Sequence, residues 1–263
     1  MSAEDSFRIE RLETRVYPSA AEMGAAAAHD VARQLKELLG RQSLVRAVFA
    51  AAASQNQFID ALVCLDGIDW GRVEVLELDE YVGVRGSDPA SLRHWLESHL
   101  SKRVALARVE YMDGMAGNLA EECARYEAIV RERPIDLGVL GIGESGHLAF
   151  NDPHVADFDD TRLVKVVEID ETSRMQQVRD GAFPDVDVVP RRALTLTIPP
   201  IRAMGVLSVV VPGRNKAAAV SAALVNPVSA ACPASILRTH AAATLYVDAD
   251  AFADAQGRFA PVV

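Results

Sequence analysis

The chain has 263 residues, half of them hydrophobic and 24% charged, with 27 Lys and Arg against 37 Asp and Glu for a formal net charge of −10. That length buries a sizeable core, and an acidic chain with no Lys/Arg-rich run is not expected to bind nucleic acid. Its apolar stretches are all too short or too charged to span a membrane, its start MSAEDSFRIE does not read as a signal peptide, and Cys64, Cys123 and Cys232 lack a metal or disulfide pattern, so a reducing, cytoplasmic setting is expected.

Ser19 with Glu22 predicts a capped helix over residues 20–39, ended near Gly40. Leu44 to Ala53 is apolar apart from Arg46, as expected of a strand buried on both faces. Ser54 then reads as the cap of a helix beginning SQNQFIDAL. Arg72 to Leu78 predicts a second strand, Ser91 to Leu100 a helix, and Asn118 with Glu121 a helix reaching about Arg131. Asp136 to Ile142 is a third apolar strand. Arg162 to Ile169 and Ala193 to Ile198 alternate like strands. Gly205 to Val211 is a further apolar strand, followed by an alanine-rich helix. Pro233 to His240 predicts a short helix and Ala243 to Val247 a last strand. Strands alternating with helices predict a single α/β domain over 1–263, Rossmann-like, three-layered, with a mostly parallel sheet. Such sheets take ligands beyond the carboxyl ends of their strands.

Polar residues gather at those places. Ser54 and Gln55 follow the first strand, and a helix start with free N–H groups attracts phosphate. Asp79, Glu80 and Tyr81 follow the second; a carboxylate in a semi-dry crevice can serve as a general base, whereas Tyr81 reads as core. GIGESGHLAFNDP, Gly141 to Pro153, follows the third and sets His147 between Glu144 and Asp152, with Gly143 and Gly146 allowing tight turns. An imidazole flanked by carboxylates suits proton transfer. Lys216 starts a helix, where the macrodipole disfavours a cation, so an anionic ligand is expected beside it. Arg174 is a further phosphate candidate, since a guanidinium matches phosphate oxygens. No metal-ligand spacing, dinucleotide fingerprint or nucleotide P-loop is present, so no metal or cofactor is expected.

LDEYVGV (Leu78 to Val84), GIGESGHLAFNDP and VPGRNKA (Val211 to Ala217) resemble, in that order, the glucosamine-6-phosphate deaminase (isomerase) family. TSR (Thr172 to Arg174), ALTLTIP (Ala193 to Pro199), PASILRTH (Pro233 to His240) and LYVD (Leu245 to Asp248) extend the resemblance over about residues 45 to 250. The 6-phosphogluconolactonases share it in part, but AFNDP is the deaminase-type continuation. The resemblance implies conversion of glucosamine 6-phosphate and water to fructose 6-phosphate and ammonia, with no cofactor and no partner beyond the phosphosugar. The oligomeric state stays open, a homo-oligomer included. It implies that Asp79 moves a proton between C2 and C1, that His147 opens the pyranose ring with Asp152 in place of a usual glutamate, that Ser54 lies in the phosphate loop, and that Lys216 and Arg174 grip the phosphate. Ser145 stands where the family often has an acid, and Glu144 is expected to substitute for it in orienting His147. AAAASQN lacks the glycine-rich phosphate loop of many members. A galactosamine-6-phosphate deaminase, a lactonase-type hydrolase and a non-catalytic phosphosugar sensor are the alternatives.

Overall fold

The structure, a computed structural model, describes residues 5–259. Its strands in chain order are β1 (Asp5–Ile9), β2 (Leu12–Tyr17), β3 (Val45–Phe49), β4 (Val73–Glu77), β5 (Asp79–Tyr81), β6 (Arg108–Glu110), β7 (Leu137–Leu140), β8 (Val164–Glu168), β9 (Arg192–Leu196), β10 (Val206–Val211) and β11 (Ala243–Asp248). Eight of them form one sheet in the order β1-β2-β11-β10-β7-β3-β4-β6. Every neighbouring pair in it is parallel except β1 and β2. The mostly parallel α/β architecture expected from the sequence is thus present.

The central strands β3, β4 and β7 are buried along their whole lengths. A parallel sheet of that kind needs helices on both faces. On one face lie α1 (Ala20–Leu39) and α2 (Asn56–Val63). Met23, Ala27, Val31, Leu35 and Leu39 of α1 recur at four-residue spacing and are buried, and the Ser19 hydroxyl accepts from the Glu22 N–H at 3.3 Å. The other face is covered by α4 (Leu119–Glu132) and α7 (Ala217–Val225). Arg46, the one charge in the first apolar strand, is fully buried; its guanidinium lies 3.2 Å from Glu74 and donates to the Ile129 carbonyl at 2.8 Å. A buried charge persists only when paired and hydrogen-bonded in this way.

Three expectations need correcting. The N-terminal hairpin β1–β2 has no counterpart among the predicted elements. Arg162 to Ile169 and Ala193 to Ile198 do form strands, but β8 and β9 join β5 in a separate three-stranded antiparallel sheet. Ser54 does not cap a helix: it sits in a tight turn over Ala53–Gln55, and α2 begins at Asn56 with no side-chain cap. Ser91 does cap α3 (Leu92–Leu96), which runs on to Ser101 in a wider turn, and Asn118 caps α4.

The topology fixes where a ligand can enter. The chain lays down β3, adds β4 and β6 on one side, then returns to place β7 on the other, followed by β10 and β11. At such a reversal the loops leaving the two adjacent strands part and leave a crevice.

Candidate active site

The crevice at the carboxyl ends of β3 and β7 holds a narrow, partly open cleft. Ser54 and Gln55 enter it after β3, Asp79 after β4, Gly141, Gly143 and His147 after β7, and Lys216 after β10. Gln176 and Gln177 of α5 (Glu171–Arg179) close it from another side. Residues 162 positions apart in sequence, from Ser54 to Lys216, therefore face one space.

Asp79 is placed by the switch from one sheet to the other. The Leu78 carbonyl accepts from the Leu196 N–H at 3.0 Å, and Asp79 then pairs with Thr195 across β5 and β9. Strand alternation sends Asp79 and Tyr81 to the cleft and Glu80 away from it. Glu80 is spent structurally: its carboxylate accepts from Ser91 Oγ at 2.5 Å and from the N–H groups of Tyr81, Leu92 and Arg93. Burial first, and the neighbouring Glu80 second, push the Asp79 carboxyl up to about 8. A carboxylate so poised can accept a carbon-bound proton near neutrality. Tyr81 is both core and cleft wall, packed between Phe150 and Phe183 at centroid distances of 5.3 Å.

His147 is held by a polar nest. Its Nδ1 lies 2.9 Å from Asp152 Oδ1, 2.9 Å from Ser145 Oγ and 2.8 Å from Ser173 Oγ. Both hydroxyls also reach Asp152 Oδ1, at 2.9 and 2.5 Å. The Asp170 N–H donates to Asp152 Oδ2 at 3.0 Å. Burial alone would raise the Asp152 carboxyl; the His147 hydrogen bond and charge, with Ser173 and the Asp170 N–H, outweigh it and hold the group at about 2. Asp152 is therefore the ionised acceptor, Nδ1 keeps its proton, and Nε2 is left bare on the far side of the ring. That side lies against Gly143, where a Cβ would come within 2.0 Å of the imidazole. Gly146 has φ +81°, the left-handed conformation its turn requires.

Glu144 does not orient His147, contrary to the expectation. Its carboxylate pairs with Arg179 and accepts from Asn215 Nδ2 at 2.8 Å, beside Lys216. The hydroxyl of Ser145 occupies the place expected for it. Ser145→Ala should accordingly lower kcat about fivefold, the worth of roughly one hydrogen bond, while Glu144→Gln leaves kcat within about twofold. Steady-state kinetics on the two variants checks this; the reverse ranking would return the orienting role to Glu144.

Lys216 is 3% exposed and lines the cleft. Burial, aided by Arg179, draws its ammonium below the usual range, and Asp180 and Glu144 oppose this. A desolvated cation at the mouth of α7 suits an anionic ligand. Gln55 lines the cleft but commits its Nε2 to the Val210 carbonyl at 3.0 Å, and Ser54 is half-buried beside it. Arg174 is not on the cleft wall. Its Nε and Nη2 hold the carbonyls of Val189 and Val186, bracing the segment that follows α5. The sequence alone gives no role to Ser173, Gln176 and Gln177; the one signal it carries there is a helical stretch, ETSRMQQVR, with no apolar stripe.

A family model described as glucosamine-6-phosphate isomerases/6-phosphogluconolactonase matches residues 18–246. Glucosamine-6-phosphate deaminases of Bacillus thuringiensis and Bacillus anthracis are 35% identical over 184 residues, covering 70% of this chain and 68% of theirs. A solved monomeric glucosamine-6-phosphate deaminase of the NagB superfamily superposes with a TM-score of 0.85 at 28% identity, over 92% of this chain and 99% of its own. A 6-phosphogluconolactonase from Trypanosoma brucei shares the fold, with a TM-score of 0.76 at 15% identity over 93% and 98% of the two chains.

Proposed function

This chain belongs to the family of glucosamine-6-phosphate isomerases and 6-phosphogluconolactonases, and on that premise we propose that it is an amino-sugar-phosphate deaminase, converting glucosamine 6-phosphate and water to fructose 6-phosphate and ammonia. The observation that carries this reading is the convergence of Asp79, His147 and Lys216 on one cleft. Lys216 grips the phosphate and so sets the sugar's direction, with Ser54 beside it. Fixing one end of a flexible chain converts collisions into positioned contacts at the other. Bare Nε2 of His147 exchanges the proton of the anomeric hydroxyl and ring oxygen, opening the pyranose; Asp152 supports the imidazolium that forms. Asp79 takes the C2 proton and returns it to C1. As the C1 aldehyde becomes a hydroxymethyl group, O1 takes up a proton and the C2 amine gives one up, so the C2–N bond becomes an imine, which water hydrolyses to the ketose and ammonia. Arg174 contributes through the 186–189 backbone it holds.

The whole chain, 1–263, acts as one domain in this reading; the sheet that builds the cleft draws on both β1 and β11. No helix among the described residues is long and apolar enough to cross a membrane. The three cysteines are free, which supports a reducing, cytoplasmic setting.

The test is an assay of ammonia and ketose from glucosamine 6-phosphate, run beside the galacto epimer and 6-phosphogluconolactone. Equimolar ammonia and fructose 6-phosphate are expected. Hydrolysis of the lactone without ammonia from either amino sugar would overturn the reading. Lys216→Met should raise KM about thirtyfold or more, the loss of a charge-assisted contact, with a smaller effect on kcat. Weakened competition by inorganic phosphate would accompany it; an unchanged KM would place the phosphate elsewhere.

A further inference from the structure

Helix α5 buries Ser173, Arg174 and Gln176, all polar, while Val178 packs partly buried against the cluster around Tyr81 and Phe183. Helices ordinarily dock through an apolar stripe, so this one is seated largely by hydrogen bonds. Ser173, Gln176 and Gln177 stand at i, i+3 and i+4, on one face. That face meets the cleft: Gln176 and Gln177 line it, and Ser173 reaches the His147–Asp152 pair behind it. The helix start adds a second tie, since the Asp170 N–H donates to Asp152 Oδ2. Arg174 anchors the far side of the same turn to the carbonyls of Val186 and Val189.

Asp152 Oδ1 is thus shared by three donors: Nδ1 of His147 and the hydroxyls of Ser145 and Ser173. Each hydroxyl carries one proton, and the one fully ionised acceptor within reach is Asp152. Both hydroxyls therefore point at the carboxylate, and neither can present a proton to Nδ1. The imidazole has a single way to satisfy the nest, with its proton on Nδ1.

We propose that α5 is a positioning element and Ser173 a positioning residue, which together with Ser145 fixes His147 in the tautomer that turns a bare Nε2 to the cleft. The inference rests on the ring-opening role assigned above to His147. Ser145 and Ser173 come from different elements, so the tautomer depends on α5 being docked. Because α5 also lines the cleft through Gln176 and Gln177, part of the cleft wall and the orientation of the base are carried by one helix.

The experiment follows the His147 ring by nitrogen-15 NMR in the ligand-free full chain, alongside kinetics. Nδ1 and Nε2 of the neutral ring have distinct nitrogen-15 shifts, so the spectrum reads which nitrogen carries the proton. The wild type should show the proton on Nδ1, and Ser173→Ala should lower the share of that tautomer. It should lower kcat about tenfold, as for a lost hydrogen bond to a charged group, with KM changed less than about twofold. Ser173→Cys, nearly the same size with a weaker donor, should fall between. Ser145→Ala, on the half-exposed side, should change the tautomer ratio in the same direction, so the idea stays testable if the buried variants misfold. A wild-type tautomer ratio in both Ser145→Ala and a folded Ser173 variant would overturn it. If the wild-type chain releases no ammonia the functional reading fails, while the ring nitrogen shifts still decide the role of Ser173.

Discussion

Asp79→Asn should lose at least about a thousandfold in turnover on the amino sugar, within the range that a positioned general base supplies, while still binding inorganic phosphate. Asparagine keeps the shape and cannot take the C2 proton. The same substitution should make the protein more stable in alkali. The Asp79 carboxyl titrates at about 8 in the fold against 3.8 as an ordinary carboxyl. Between those values the native state retains a proton that the unfolded chain has lost, so stability falls as pH rises through that window. The substituted amide carries no such penalty. At pH 9 the variant should exceed the wild type by about 1–3 kcal/mol, with the difference vanishing below about pH 4. Thermal melts at the two pH values measure this. Activity and stability moving in opposite directions is the mark of a group kept for chemistry rather than for packing. The same titration sets the rate profile: kcat/KM of the wild type should rise with pH and level off above about 8.

The second large effect belongs to His147. His147→Gln should lower kcat by about a hundred- to a thousandfold, the range of a lost general acid–base catalyst. The floor is set by spontaneous opening of the sugar ring, which continues without the imidazole. KM should change little, because the phosphate grip proposed for Lys216 does not involve the imidazole. Rapid-quench kinetics on the cyclic sugar measures the effect. A loss below about fivefold would show that ring opening does not pass through Nε2.

Much of the site can be read from the sequence because it sits at strand ends. Burial on both faces makes β3, β7 and β10 nearly continuous apolar runs, and the polar residues that follow them, like those after β4, stand out. Asp79, His147 and Lys216 stand out in that way, and the structure brings them to one cleft. What stays hidden depends on pairing between distant segments. Strand periodicity cannot say which sheet a strand joins, so it does not separate β8 and β9 from the main sheet. Glu144 and Ser145 are adjacent in sequence, and charge favours the wrong one of the two. The backbone turn at Gly146 sends Ser145 to His147 and leaves Glu144 to Arg179, 35 residues away. Ser173 is 26 residues from His147, and no spacing rule connects them. Arg174 next to it carries the expected phosphate signal, yet two of its nitrogens close on backbone carbonyls whose position only the folded chain defines.

Running the wild-type reaction on glucosamine 6-phosphate in heavy water bears most directly on whether one carboxylate carries hydrogen between neighbouring carbons of a sugar. The fructose 6-phosphate formed should hold at most one deuteron at C1, on a single face, with one ammonia released per ketose, and Asp79→Asn should give neither. Deuterium scattered over both C1 positions, or ammonia released at an undiminished rate by Asp79→Asn, would contradict it.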